Sequence, residues 1–302
     1  MSGTMHVFDR ATVRRHRDRA AAGLEDHDFL LREVGERLAD RLDDIKRRFP
    51  VALDLGCHGG ELGRLLNGRG GIETLVQCDL SPEMARRAGP LGLAADEELL
   101  PFAGECFDLI VSCLSLHWIN DLPGALVQIR RALKADGLFL AAMLGGNTLE
   151  ELRASLAEAE IAGEGGLSPR VSPFADVRDA GDLLQRAGFA LPVVDSDTIT
   201  VSYGDPAGLM SDLRGMGESN AVAGRRKTWT RRATLEAAAE RYRQMFGDSA
   251  GRVPATFHVI TLTAWAPHPS QQKPLTPGSA QTRLAEALGT VEIPAGEKAK
   301  SR

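Results

Sequence analysis

The stretch Val51-Ala-Leu-Asp54-Leu-Gly56-Cys57-His58-Gly59-Gly60 decides the fold. A short apolar run closes on a glycine cluster, and Glu61 to Leu66 behind it reads as a helix. Together they predict a β-turn-α unit. Glycines let a backbone approach a ligand closely, and the start of the following helix offers free N–H groups and positive potential. Folds for several nucleotide cofactors share such a turn, so its meaning depends on its neighbours.

Moving outward, Asp79 closes a strand candidate at Thr74–Cys78, with Leu80 beside it. It lies about twenty residues past the turn, where a carboxylate accepts both hydroxyl protons of a ribose. No Arg or Lys follows at once, so nothing points to a 2′-phosphate. Asp96, with Glu97 next to it, follows a third strand candidate, Leu91–Ala95, and precedes Leu100-Pro101-Phe102. An acid there can take the adenine amino proton. Further strands are expected at Phe107–Cys113, Leu138–Met143, Pro192–Val201 and Thr256–Trp265, which makes seven. Helices are expected at Pro82–Ala88, Leu122–Leu133 and Asp176–Ala187. Strands alternating with helices give an α/β fold with a mostly parallel sheet and helices on both faces. Right-handed crossovers then gather all the motifs above on one sheet edge.

The remaining segments fit around that core. Aliphatic residues recur at helical spacing through Phe29, Leu30, Val34, Leu38, Leu42 and Ile45, so residues 1–50 read as an N-terminal helical segment ended by Pro50. The core domain is placed at 51–266, with a helical cap insertion at 204–253 carrying helices Ala207–Leu213 and Leu235–Phe246. Residues 267–302 turn rich in Pro, Gln, Ser and Lys and are expected to form a mostly flexible tail. In it, Thr282–Leu288 is a weak helical patch and Glu297–Arg302 a polar end.

Of the 302 residues 43% are hydrophobic and 25% charged, the balance of a globular domain. A net charge of −5 argues against a surface devoted to nucleic acid. The basic runs Arg14-Arg15-His16-Arg17/Arg19 and Arg225-Arg226-Lys227/Arg231-Arg232 read as solvated helix faces. No apolar run reaches the length needed to span a bilayer, so any membrane contact is expected to be peripheral. Cys57, Cys78, Cys106 and Cys113 form no CxxC pair and read as small buried thiols, which suggests a reducing cytoplasm.

The order of glycine turn, ribose acid, acid before Leu-Pro-Phe and Phe107-Asp-Leu-Ile-Val111 strand resembles the class I S-adenosylmethionine (SAM) methyltransferases, a Rossmann-like fold. Ala95-Asp-Glu-Glu-Leu-Leu-Pro-Phe102, Ser112-Cys-Leu-Ser-Leu-His-Trp118 with Asn120-Asp-Leu-Pro123, Gly215-Met-Gly-Glu-Ser-Asn220 and Val253-Pro-Ala-Thr256 resemble the complex I assembly factor 5 group along nearly the whole chain. The first half is more distantly similar to the malonyl-carrier-protein methyltransferase of biotin synthesis. These resemblances imply SAM as cofactor, bound by Asp54, Gly56, Cys57, His58, Gly60, Asp79, Leu80, Asp96, Glu97 and Cys113. They imply a protein side chain as substrate, an arginine of a respiratory complex I subunit. Methyl transfer is the fold's default chemistry. Arginine hydroxylation, which the group's mitochondrial member is understood to perform, and a non-catalytic assembly role are the alternatives. The family turn reads Gly-Cys-Gly-x-Gly, and His58 stands at its middle glycine. A side chain there is expected either to crowd the methionine moiety or to need an unfavourable positive φ, and so to weaken SAM binding.

The fourth strand's end delivers Cys113, Ser115, His117 and Trp118 to the ligand edge. His117 is the candidate base there, and the alternative is that it and Trp118 wall the adenine. Glu218 and Asn220 of the insertion, with Trp118, are candidates for substrate binding, since a carboxylate and an amide suit a guanidinium. They could equally cap a helix end. No metal-ligand set is legible: His6, His16 and His27 are scattered in the first helices, and His258 and His268 lie at the last strand.

Overall fold

The computed structural model describes residues 6–272, 278–279 and 281–292. The chain divides into two compact units after Pro267.

In the first unit, α1 (Arg10–Ala20) and α2 (Phe29–Asp43) precede the sheet. The sequence then alternates through β1 (Val51–Leu55), α3 (Glu61–Leu66), β2 (Thr74–Asp79), α4 (Pro82–Ala88), β3 (Gly92–Ala94), β4 (Phe107–Cys113), α5 (Leu122–Ala132) and β5 (Leu133–Leu144). It continues with α6 (Glu150–Glu164), α7 (Val177–Arg186), β6 (Ala190–Tyr203), α8 (Pro206–Gly215), α9 (Arg232–Phe246) and β7 (Val253–Trp265). Short polar caps set the helix starts: Asp9 accepts from the Thr12 N–H, Ser81 from Met84 and Asp121 from Gly124.

The seven strands lie in the order β3-β2-β1-β4-β5-β7-β6. The first five are parallel, with Leu53 opposite both Val76 and Ile110. β7 runs antiparallel between β5 and β6, pairing Leu138 with Trp265 and Leu144 with Val259. Strands covered on both faces are apolar at most positions. β4 shows this, because Leu109 and Val111 enter one core with α2, α6 and α9, while Ile110 enters the other with α5 and α7.

Differences from the expected elements are local. β5 begins at Leu133, so the polar Lys134-Ala-Asp-Gly137 belongs to the strand, and α5 stops one residue sooner than expected. α6 has no counterpart in the expected elements, although Leu152, Leu156 and Ala159 recur at helical spacing and are buried. It packs along α9, so the insertion joins the main core. Among the described residues no helix is long and apolar enough to cross a membrane.

In the second unit the described residues include α10 (Leu284–Ala287), inside the expected helical patch. The polar end Glu297–Arg302 lies outside the described residues.

Tyr242 of α9 is fully buried and donates its hydroxyl to the Pro254 carbonyl at 2.7 Å. Tyr242→Phe leaves that acceptor without its partner, and we expect a loss of about 1–2 kcal/mol, read as a lower urea midpoint at unchanged slope.

Candidate active site

The turn after β1 is built as its glycines require. Gly56 has φ +71°, and a Cβ there would sit 2.0 Å from Ser115 Oγ. Gly60, at φ +89°, brings the start of α3 to within 2.8 Å of Ala88 Cα as measured from its own ideal Cβ. His58 takes φ +49°, as its position demands of any residue. Its ring is buried, with Nε2 at 3.2 and 3.3 Å from the carbonyls of Cys113 and Leu114. Burial, and then Arg17, lower its pKa and keep it neutral.

Asp79 ends β2 on the same edge. Its Oδ2 accepts from the His58 N–H at 3.1 Å and its Oδ1 from the Ser81 N–H at 2.8 Å. A third partner comes from outside the domain core. Arg17 of α1 is completely buried, and its Nη1 donates to Asp79 Oδ2 at 2.9 Å and to Glu97 Oε1 at 3.1 Å. Its Nη2 donates to Ser115 Oγ at 2.9 Å, and Ser115 in turn donates to Glu97. Arg10, one helical face earlier, bonds Asp96 at 2.6 Å, Glu97, and the Trp118 carbonyl at 3.3 Å. The expectation that the N-terminal basic run is a solvated face therefore fails at Arg17. Buried acids there need a cation, and α1 supplies it. The second run does serve the surface in part: Arg232 pairs along its own helix, but Arg225 bonds Asp9 and Thr12 of the α1 start.

The electrostatics follow. Burial opposes ionisation of Glu97, but Arg17 and Arg10 outweigh it and bring its pKa down to about 2. Asp54, buried at the end of β1 with Gln77 Nε2 at 3.3 Å from Oδ2, has no cation and is pushed up to about 7 by burial. Burial likewise raises the thiols of Cys57, Cys78 and Cys113 well above the ordinary range. All four cysteines are free thiols, and Cys106 is the partly exposed one.

A second group forms where β4 runs into the turn Leu116–Trp118. His117 Nε2 lies 2.9 Å from Glu218 Oε2, and its Nδ1 accepts from the Leu144 N–H at 3.5 Å. Trp118 Nε1 donates to both Glu218 oxygens, at 3.0 and 3.1 Å. Burial pushes the Glu218 carboxyl up, but His117, Arg17 and Trp118 outweigh it and hold it below its usual range. Beside them opens a cleft of about 190 Å³, walled by Trp118, Leu144, Leu152, Leu156, Phe174 and Met210. Glu218 and Asn220 reach its lining, while His117 stands behind Trp118 and Glu218.

The structure thus brings Asp54, Gly56, Cys57, His58, Gly60, Asp79, Asp96, Glu97 and Cys113 to one edge, with Leu80 packed against Phe8 and Trp118. Cys113 faces the α2 backbone, its Sγ 3.8 Å from the Leu31 carbonyl. Asn220 spends both ends of its amide locally, on the Pro169 carbonyl and the Val222 N–H. Arg10, Arg17 and Ser115 complete the site without having been singled out as binding residues. The available signal was the surplus of acid in Asp96-Glu97-Glu98 beside Asp79, which requires positive partners.

A sheet in this order, with a glycine turn after its first strand and acids closing the second and following the third, is the class I SAM methyltransferase fold, and a methyltransferase-domain family model matches residues 53–141. Over 306 residues the chain is 46% identical to human "arginine-hydroxylase NDUFAF5, mitochondrial", covering 98% of this chain and 88% of that protein. It belongs to the NDUFAF5 family. It is also 34% identical over 281 residues to the malonyl-[acyl-carrier protein] O-methyltransferase of Methylovorus sp. (strain MP688), covering 88% of this chain and 92% of that one. The SAM complex of Haemonchus contortus phosphoethanolamine N-methyltransferase 2 superposes with a TM-score of 0.52 at 16% identity, over 85% of this chain and 60% of that one, which shows the shared fold.

SAM is the cofactor this fold is built to hold. The acceptor set fits it: Asp79, Asp96 and Glu97 stand at the strand ends, and Asp54 Oδ1, Glu61 Oε2 and His58 Nδ1 are buried without a hydrogen-bond partner in the turn. The space, however, is filled. Between Asp54, the glycine turn, Glu61 and Cys113 no room remains even for water.

The raised Asp54 gives a pH test. An acid whose folded pKa lies above its unfolded value destabilises the fold as pH rises between the two, here from about 4 to about 7. Asp54→Asn should remove that loss, so that the variant gains stability over wild type at pH 7 and matches it near pH 4 in urea titrations.

Proposed function

We propose that the protein is an arginine-modifying enzyme of the SAM methyltransferase fold, acting on an arginine of a protein, a respiratory complex I subunit. The near-full-length identity to proteins named arginine-hydroxylase supports hydroxylation as its reaction. The observation that carries the substrate class is Glu218, which brings a carboxylate held below its usual pKa range to the lining of a mostly apolar cleft.

In this reading the cleft receives the substrate side chain. Its walls are mostly apolar, with Arg170 and Arg214 also in the lining, and a low-dielectric surround strengthens the polar contacts made inside. Glu218 keeps acceptor capacity at Oε1, which has a single partner, and can orient a guanidinium by a charge-assisted hydrogen bond. His117 holds Glu218 from behind, its Nε2–H donating to Oε2 and so fixing the carboxylate's orientation. Asp79 and Glu97 bind the nucleoside part of the cofactor. When bound, SAM supplies an electrophilic methyl group.

Methyl transfer is the second reading, favoured by the family model over residues 53–141 and by the malonyl-carrier-protein methyltransferase relatives. It needs only alignment of acceptor and methyl, whereas hydroxylation consumes O₂ and two electrons from a reductant. Neither reading needs a membrane-crossing segment, so a peripheral meeting with the subunit suffices.

Incubation of the protein with isolated complex I subunits, followed by intact-mass analysis, separates the readings. Added oxygen dependent on O₂ supports hydroxylation, an added methyl labelled from SAM supports transfer, and neither leaves the assembly role. Glu218→Gln should reduce either modification by about 10²-fold or more while the protein stays folded.

A further inference from the structure

We propose that α1 is an exchangeable stopper: its Arg17 and Arg10 hold the carboxylates of Asp79, Asp96 and Glu97 until a nucleoside cofactor takes over those acceptors, so that cofactor entry and α1 release are one event. The proposal rests on the SAM reading above.

The chemistry of the exchange is matched. A guanidinium presents paired N–H donors to a carboxylate, and a ribose diol presents paired O–H donors. Two buried carboxylates cannot be left without donors, so α1 cannot leave before something replaces it. The site also shows that its present occupant is an imperfect fit. Arg17 Nε, Asp54 Oδ1, His58 Nδ1 and Glu61 Oε2 are all buried without a hydrogen-bond partner, although native proteins satisfy nearly all such atoms. A ligand larger than a guanidinium, reaching from Asp79 into the glycine turn, has polar atoms to meet there.

α1 is also lightly attached. It buries only Val13, Ala20, Thr12 and Arg17, so little apolar area is exposed when it lifts. Its other anchors are polar: Asp18 accepts from Ser81 Oγ at 2.5 Å, and His16 Nδ1 stands 3.1 Å from the Ser219 carbonyl. Its leading residues are tied to the insertion, with Asp9 N–H donating to the Ala221 carbonyl at 2.8 Å and Phe8 bridging Val222. Residues 219–223 directly follow Glu218. Withdrawal of α1 therefore pulls on the segment that carries the cleft carboxylate, and cofactor exchange is coupled to the substrate side.

Hydrogen exchange of the full chain with and without S-adenosylhomocysteine tests this, together with calorimetric SAM titration of wild type, Arg17→Met and Arg17→Lys. With a closed state dominating, the apparent affinity is reduced by the open fraction, so Arg17→Met should bind SAM at least about tenfold more tightly than wild type. In wild type the ligand should slow exchange at residues 54–60 and speed it at 10–20 and 219–223. Slower exchange at 10–20 would overturn the proposal, because α1 would then close over the cofactor. Unchanged or weaker binding by Arg17→Met would overturn it too while leaving the cofactor reading intact. No binding by any protein would remove the cofactor reading, and the exchange with it. If Arg17→Met does not fold, the wild-type exchange pattern decides, together with Arg17→Lys, which is expected to bind SAM more tightly than wild type.

Discussion

The carboxylate of Asp79 ties together three parts of the chain. One oxygen fixes the turn between β2 and α4 through Ser81, and the other receives both the His58 N–H of the glycine turn and the Arg17 side chain. A single ionised group thereby sets the spacing between two adjacent strand ends and docks a helix from far earlier in the chain. Such a group tolerates burial only while all its donors are present. The geometry of the whole ligand edge depends on that condition.

Around this anchor the charges are organised in two sets on one edge. Asp79, Asp96 and Glu97 face the first helix, and Glu218 faces the cleft with His117 and Trp118. Arg17 lies close enough to lower the Glu218 carboxyl as well, so the two sets feel a common cation. A change in the position of that cation alters the acidity of Glu218 in the cleft lining. Fold and function are separable here: the sheet supplies the edge, and residues from α1 and the insertion decide what the edge does.

Much of this was legible in the sequence. The strands, the glycine turn and the acids after β2 and β3 follow from local pattern, because a parallel sheet demands continuous apolar runs and a close turn demands glycine. His58 was legible as a strained position, and φ +49° bears that out. Glu218 was legible as polar material in a cap, but its pairing with His117 across a hundred residues was not. Arg17 was illegible for a general reason: in a helix rich in arginine, no local feature distinguishes the one that points inward. Only the tertiary demand of the acids picks it out. α6 escaped because only Leu152 and Leu156 of its six buried residues are large and apolar, a weak signal that gains its meaning from α9 lying against it.

The three buried thiols have a use that their chemistry alone would not suggest. Cys57 lies in the glycine turn and Cys113 at the end of β4, both lining the closed pocket, while Cys78 lies one residue before Asp79 in the second core and Cys106 stands apart, partly exposed. A thiol that is buried and held protonated does not react with an alkylating reagent, because the thiolate is the nucleophile. The native chain therefore carries its own clock: the slow uptake of label beyond the first equivalent counts how often the ligand edge opens to solvent.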